Sequence, residues 1–378
     1  MNPILLDNAR LILPGEVIAG HVAIADGVIR DIGTGRVNSP AAIDCAGDYV
    51  LPGLVELHTD NLEKHLLPRP GAHWPAAAAL RAHDAQLLAA GITTALNAIS
   101  VGEEDAEEAV DPRPVLDALA DAREDGGLRI DHAVHLRCEL PCPDLPDRLR
   151  PLLDTPGLRL LSLMDHTPGQ RQFHDLDRYR AYSARHGNAR DDHGFQARIE
   201  HLRQLQRRHA DTHRGVVIAM ARELGLPLAS HDDSDLSHIA EAVEAGARIA
   251  EFPVNLATAI AARAAGLQVL AGAPNLVRGG SHSGNVAAAD LARAGALDAL
   301  SSDYVPGSLL LAAFQLGAWE SIGLARAVAM VTRTPALAIG YRDRGEIAIG
   351  LRADLLRVRV ARGLPQIEAV WVGGERRY

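Results

Sequence analysis

Alternating apolar and polar positions mark both ends of the chain. LLDNARLIL, HVAIADGVIRDIG and DYV near the start, and EIAIGLRADLLRVRV and QIEAVWVGGERRY near the end, follow the two-residue period of half-buried strands, punctuated by Asp, Asn and Gly. Gly373-Gly374 falls where a two-residue hairpin requires positive φ. Between these ends the pattern changes. Apolar runs at LVELH (54–58), ITTALNAI (92–99), IDHAVHLRC (130–138), LRLLSLM (158–164), PLASH (227–231), RIAEF (248–252), LQVLAG (267–272) and LDALSSD (297–303) read as strands. Helical stretches such as AAALRAHDAQLLAAG, RPVLDALADAREDG and GVVIAMARELG separate them. Eight strand–helix repeats predict an α/β fold, a (β/α)8 TIM-like barrel, and the β-rich head and tail predict one small composite β-sandwich domain built from both termini. The boundaries expected are 1–52 and 337–378 for the two halves of that domain and 53–336 for the barrel.

One segment breaks the rhythm. From about 169 to 214 the chain is polar, helix-prone and dense in Arg, His and Asp, which predicts an insertion in the loop after the fourth barrel strand. Long loops at that end of a barrel act as lids or specificity elements. An open doubly wound sheet is the alternative architecture, but no GxGxxG follows the first strands, so dinucleotide binding has no support.

Composition narrows the classes further. With 378 residues, 47% hydrophobic and 23% charged, the chain is an ordinary globular protein and not a disordered one. A net charge of -10 and an aromatic content of 3% argue against nucleic acid as a partner, while leaving room for a local basic pocket. No apolar run approaches a membrane span, and MNPILLDNARLILPG lacks the basic start of a signal peptide. Cys45, Cys138 and Cys142 make no disulfide framework or zinc knuckle, so a cytoplasmic location with reduced, buried thiols is expected.

Candidate chemistry gathers where the strands end. His58-Thr59-Asp60, Arg137-Cys138-Glu139, Asp165-His166, His231-Asp232-Asp233, Glu251 and Asp303 close six of the eight runs. Active sites of this barrel lie at that face, and residues two apart on a strand, such as His58 and Asp60, point the same way. Imidazole and carboxylate together are the ligands of catalytic divalent metals. After the seventh strand, Arg278-Gly279-Gly280-Ser281-His282-Ser283-Gly284-Asn285 offers backbone N–H groups and side-chain donors to an anion, and Arg69 in LLPRPG is a second candidate for a phosphate. The run Glu103 to Glu108 reads as a solvated acidic helix start, His83-Asp84 as a helix surface or support to the site, and Arg203 to Arg208 as a solvated face.

VLPGLVELHTDNLEKHLLPRPGAHWP, APNLVRGGSHSGN and LSSDYVPGSLL resemble the diphosphatase family of the carbon–phosphorus lyase pathway, and TRTPALAIGYRDRGEIAIGLRADL resembles the ending shared across the amidohydrolase superfamily. The resemblance spans essentially the whole chain. It implies a metal-dependent barrel that hydrolyses a ribose 1-methylphosphonate 5-triphosphate, a small-molecule substrate, to the 5-phosphate and diphosphate. It also implies a ligand set of His58, Asp60, Glu139, His166, His231 and Asp303, with Asp303 doubling as the catalytic base, and Arg69, Arg278, Gly279, Gly280, Ser281, His282 and Asn285 around the substrate. The first strand here ends HxD where the superfamily usually has HxH, and Glu139 stands in for the usual bridging lysine. The extra oxygen favours manganese, magnesium or iron relative to zinc, as one or two ions. A superfamily enzyme that cleaves a C–N bond in a phosphorylated small molecule, and a barrel that has lost catalysis, are the competing expectations. Whether the chain forms a homo-oligomer stays open.

Overall fold

Each run of alternation becomes a strand, in two separate sheets. The computed structural model describes residues 3–37, 39–102, 111–185, 191–281 and 283–378. The head of the chain forms β1 (Ile4–Leu13), β2 (Glu16–Ala25), β3 (Val28–Thr34), β4 (Ile43–Asp44) and β5 (Tyr49–Pro52). Next come β6 (Leu54–Thr59), β7 (Ile92–Val101), β8 (Asp131–Glu139), β9 (Leu158–Met164), β10 (Leu228–His231), β11 (Ile249–Glu251), β12 (Gln268–Gly272) and β13 (Ala299–Ser301). The tail adds β14 (Leu355–Ala361), β15 (Leu364–Val372) and β16 (Glu375–Arg376).

Strands β6 to β13 pair in chain order, all parallel, as a barrel. One side chain from each strand fills a single interior layer: Leu57, Leu96, Ala133, Leu160, Ala229, Ile249, Leu270 and Ala299. Ala338 and Ile339 pack against the same layer. Closure between β13 and β6 takes a different form. There a single backbone bridge, Thr59 to Asp303, is joined by the fully buried carboxylate of Glu56. Glu56 accepts from the backbone N–H of His58 at 2.7 Å and of Ser302 at 2.5 Å, and lies 2.7 Å from the Ser301 hydroxyl.

The second sheet has the order β16-β15-β14-β5-β1-β2-β3, with β4 against β1, so head and tail meet at β5 and β14. Its two faces separate by the period of two. Leu11, Val50, Leu355 and Trp371 fill the concave core, whereas Ile12, Leu51, Leu356 and Val370 pack with the barrel residues Leu54, Leu87 and Ile92. Gly91 lies at that junction with φ +82, and a Cβ there would approach Leu356 and Ile367 to 2.8 Å. The β15–β16 hairpin turns at Gly373 and Gly374, with φ of 56 and 76, as its sequence requires.

The segment after β9 is helical, as expected, but it does not stop at 214. After a short turn and the helix Leu176–Arg185, one helix of 33 residues runs from Asp192 to Leu224, so the insertion and the following barrel helix are continuous. At 1.5 Å per residue it is about 50 Å long. Asp191 caps its start and Gly225, at φ 64, ends it. His83 and Asp84 are fully buried, not on a helix surface. Asp84 accepts from the backbone and side chain of Arg129 and lies 3.3 Å from His132 Nε2, and His83 bonds Asn61 and Asn97. The acidic run 103–108 lies outside the described residues. All three cysteines are buried and free. Among the described residues no helix is long and apolar enough to cross a membrane.

Arg344 anchors the tail beneath the barrel. It is buried, and its Nη1 donates to Asp131 Oδ2 at 2.5 Å and to Thr94 Oγ1 at 3.0 Å, while Arg352 donates to the same carboxylate at 2.9 Å. Burial pushes the Asp131 carboxyl up, but the two guanidiniums outweigh it and hold its pKa below the usual value. Arg344→Ala should cost about 3 kcal/mol of stability near neutral pH, because it leaves a half-buried carboxylate with weaker partners. A depressed folded pKa confers stability that is complete above about pH 4 and is lost as pH falls through the folded value. The gap between wild type and variant in urea midpoint should therefore be constant at neutral pH and close only in acid; a gap that widens in acid would contradict the assignment.

Candidate active site

The carboxyl ends of the strands bring two triads together. His58, His135 and Glu251 offer one ligand atom each within 4.8 Å of one another, and His166, His231 and Asp232 do the same. Glu251 links the two groups. Its Oε1 lies 3.2 Å from His58 Nδ1 and its Oε2 3.3 Å from His231 Nδ1, with His135 Nε2 at 4.0 Å. The His58 and His231 rings stack at 5.5 Å, and His166 meets His231 edge-on at 5.8 Å. Glu139 grips His166 twice, accepting from its backbone N–H at 2.9 Å and lying 2.7 Å from its Nδ1.

Electrostatics follow from burial. Glu251 is fully buried, which alone would raise its pKa, yet the charges and bonds of His58, His135 and His231 hold it well below the usual range. Burial would lower His231, but Asp232 and Glu251 against it keep the imidazole up at about 9. His135 is the opposite case: burial takes it down to about 3, and its Nε2 and Nδ1 lie 2.8 Å from Ser162 Oγ and 3.1 Å from Leu57 O. Asp303 is pushed up to about 8, first by burial and then by the negative charge of Asp60, against the pull of Arg137. Asp60 Oδ1 is buried with no hydrogen-bond partner among the described residues. So many buried carboxylates, two of them (Asp60 and Asp232) with an oxygen lacking a hydrogen-bond partner among the described residues, are costly beside imidazoles without positive charge among them. This donor set fits divalent cations, with His58, His135, Glu251, His166, His231, Asp232 and Asp60 as the residues able to hold them.

The backbone is strained at the same places. Asp232, Phe252 and Asp303 have φ of 52, 52 and 53 without being glycine. Each such residue costs about 1–3 kcal/mol and persists where its surroundings force it. Asp303 is held by its N–H to Ser301 Oγ at 3.1 Å and its carbonyl to Thr59 Oγ1 at 3.0 Å.

Above the triads opens a cavity of about 1270 Å³. The sequence-derived residues His58, Asp60, Glu139, His166, His231 and Asp303 all line it, as do Ser281 and Asn285. Asn285 Oδ1 is buried without a partner among the described residues. Arg69 and Arg278 are exposed and absent from its lining, and Gly279 and Gly280 are absent from it too. The reason at Arg278 is local. The six-residue helix Ala273–Arg278 ends there, and Gly279 at φ 82 caps it, so these glycines terminate a helix. His282 lies outside the described residues. The cations that do line the cavity are Lys64, Arg113, Arg137, Arg148 and Arg198. His135 was not singled out from sequence, and Asp232 and Glu251 were noted at strand ends without a role. His135 is hidden in an apolar run, though its spacing of four from Glu139 puts both on one face of the strand.

The insertion roofs this cavity. Phe173, Tyr179, Phe195 and Ile199 form a small core of their own, and the first three of these face the opening. Arg178 donates to the carbonyl of Ser283 at 2.8 Å, tying the roof to the loop after β12. Buried Arg171 donates to His231 O and Asp233 Oδ1, both at 2.8 Å, fixing the end of β10 from above.

No protein-family model matches the chain. Solved structures with the same fold include N-isopropylammelide isopropylaminohydrolase from Burkholderia multivorans (20% identity, 100% of this chain and 98% of that chain, TM-score 0.65). They also include 5-methylcytosine deaminase from Klebsiella pneumoniae (15%, 99% and 97%, TM-score 0.64). At such identities they share architecture only. A curated relative decides more: the alpha-D-ribose 1-methylphosphonate 5-triphosphate diphosphatase of Escherichia coli (strain K12) is 42% identical over 376 residues, 98% of this chain and 99% of its own. The chain belongs to that diphosphatase family. As a member it is a hydrolase acting on phosphorus-containing anhydrides. For this diphosphatase fold, Glu251→Ala tests the link between the triads. It removes the acceptor that orients His58 and His231, and should weaken divalent-metal affinity about 10- to 100-fold, measured by metal titration of chelator-stripped protein. Unchanged affinity would assign Glu251 no part in the centre.

Proposed function

We propose that the protein hydrolyses α-D-ribose 1-methylphosphonate 5-triphosphate to the 5-phosphate and diphosphate, in the cytoplasm, during phosphonate catabolism. The observation that carries this reading is the placement of cationic side chains on the walls of the cavity that opens over the two triads. A phosphorylated amide, the competing substrate, needs cations for one phosphate, whereas four cationic side chains at the rim suit the several charges of a triphosphate. On this reading residues 53–336 form the catalytic barrel, and 1–52 with 337–378 form its composite partner.

One or two divalent ions, zinc, manganese, iron or magnesium, would supply Lewis acidity and a nucleophilic water near neutral pH. The chain's own residues do the rest. Lys64, Arg113, Arg148 and Arg198 bind phosphate oxygens, while Ser281 and Asn285 add hydrogen bonds at the wall formed after β12. Phe173, Tyr179 and Phe195 exclude bulk water from the roof side, which strengthens every charge interaction beneath. With cations offsetting the charge of Asp60, Asp303, fixed by Ser301 and Thr59, would be ionised and accept the proton released by the attacking water.

Purified protein should release diphosphate and the 5-phosphate from the triphosphate, as two products in phosphorus NMR. Chelation should abolish this and added divalent metal restore it; release of monophosphate alone, or full activity without metal, would defeat the reading. Asp303→Asn keeps the shape of the side chain and removes its basicity. At saturating metal, kcat should fall about 10²–10⁴-fold with KM changed much less. A variant with normal turnover would exclude Asp303 as the base.

A further inference from the structure

Arg137 has no part in the assignments above, yet it stands at the centre of the site. On β8 it lies between His135 and Glu139, two residues from each. Residues two apart share one face of a strand, and Ala133 on this strand belongs to the barrel's interior layer. Arg137 therefore points up the barrel with His135 and Glu139 and lines the cavity beside both triads. About 6.5 Å along the strand separates it from each neighbour. The other cations of the cavity stand in helices or loops beyond the strand ends, whereas this one is built into the sheet, where geometry is held most tightly. Its charge reaches Asp303, the proton acceptor. The charge of Asp303 helps to hold this guanidinium in place, and its position beside both triads leaves it facing the cavity where a phosphoryl group under attack would sit.

We propose that Arg137 is a catalytic residue that donates hydrogen bonds to the non-bridging oxygens of the phosphoryl group being hydrolysed. This rests on the phosphoanhydride reading above. In the step, the water oxygen bonds to phosphorus and the bridging P–O bond breaks. The electron pair of that bond stays on the departing phosphate oxygen, and the water's proton passes to Asp303. Arg137 changes neither its charge nor its covalent state. It stabilises the negative charge spread over the non-bridging oxygens in the transition state, and its planar fork suits two of them at once. A lysine would keep the charge without the fork.

The test uses the metal-loaded enzyme and its Arg137→Ala and Arg137→Lys variants, assayed for diphosphate release with bound metal quantified. Both variants should keep their metal. Arg137→Ala should lower kcat about 10²–10³-fold with KM changed less than about tenfold, and Arg137→Lys should recover only part of the loss. Guanidinium at millimolar concentration should restore at least about tenfold of the rate to Arg137→Ala and none to Asp303→Asn, a response that loss of packing would not give. Turnover of Arg137→Ala within about threefold of wild type, a loss that tracks metal content, or failure of guanidinium to rescue it would overturn the assignment. A wild-type enzyme that releases no diphosphate would instead defeat the functional reading beneath it.

Discussion

Where β13 meets β6, the backbone ladder that closes the barrel is reduced to one bridge, and the carboxylate of Glu56 takes over. A fully buried carboxylate is costly, and burial does raise the Glu56 pKa, but the bonds from His58, Ser301 and Ser302 offset that cost where they form. Those partners are also the supports of the site. The N–H that bonds Glu56 belongs to His58 itself, and Ser301 both reaches Glu56 and accepts from the N–H of Asp303. One side chain thereby joins the first strand to the last and sets the spacing between a candidate metal ligand and the candidate base.

The closed barrel also explains how strained residues survive at its lip. Asp232 and Phe252 follow β10 and β11 directly, and Asp303 follows β13 by two residues, each with positive φ. Left to themselves these residues would relax into the chain direction of the strand. They are held instead by bonds to neighbouring strands: the Asp232 N–H to Glu251 O and the Phe252 N–H to Leu270 O, at 2.9 and 2.8 Å. The turn of the backbone aims each side chain across the opening and not along it, so the polar constellation is organised before any substrate arrives.

The barrel was legible because its strands are short apolar runs separated by helix-length stretches, and LRLLSLM even matches β9 residue for residue. The composite sheet was legible because its two faces bury different cores, which imposes strict alternation at positions such as Leu355 and Leu356. Strand-end histidines and acids could be read because position alone brings them together. His135 could not, since it lies within a run whose apolar neighbours face the other way. Arg278 was misleading for a related reason. A glycine that ends a helix and a glycine that admits a phosphate look alike in sequence, and only the chain direction at Gly279 separates them. The boundary at 214 failed because polar and amphipathic stretches can share one helix when only part of it packs on a barrel.

The net charge of -10 is at odds with the proposed polyanionic substrate only if charge is treated as a property of the whole molecule. At physiological ionic strength, exposed charges more than about 8 Å away are largely screened, so surface acids scarcely affect a ligand in the cavity. What the substrate meets is local. Lys64, Arg113 and Arg148 stand beyond the ends of β6, β7 and β8, and Arg198 descends from the insertion. Each is supplied by a different loop or helix, and the barrel beneath is shared with deaminases and other aminohydrolases. On the proposed reading, selectivity for a phosphoanhydride would be carried by side chains added at the rim of a barrel whose architecture those enzymes share.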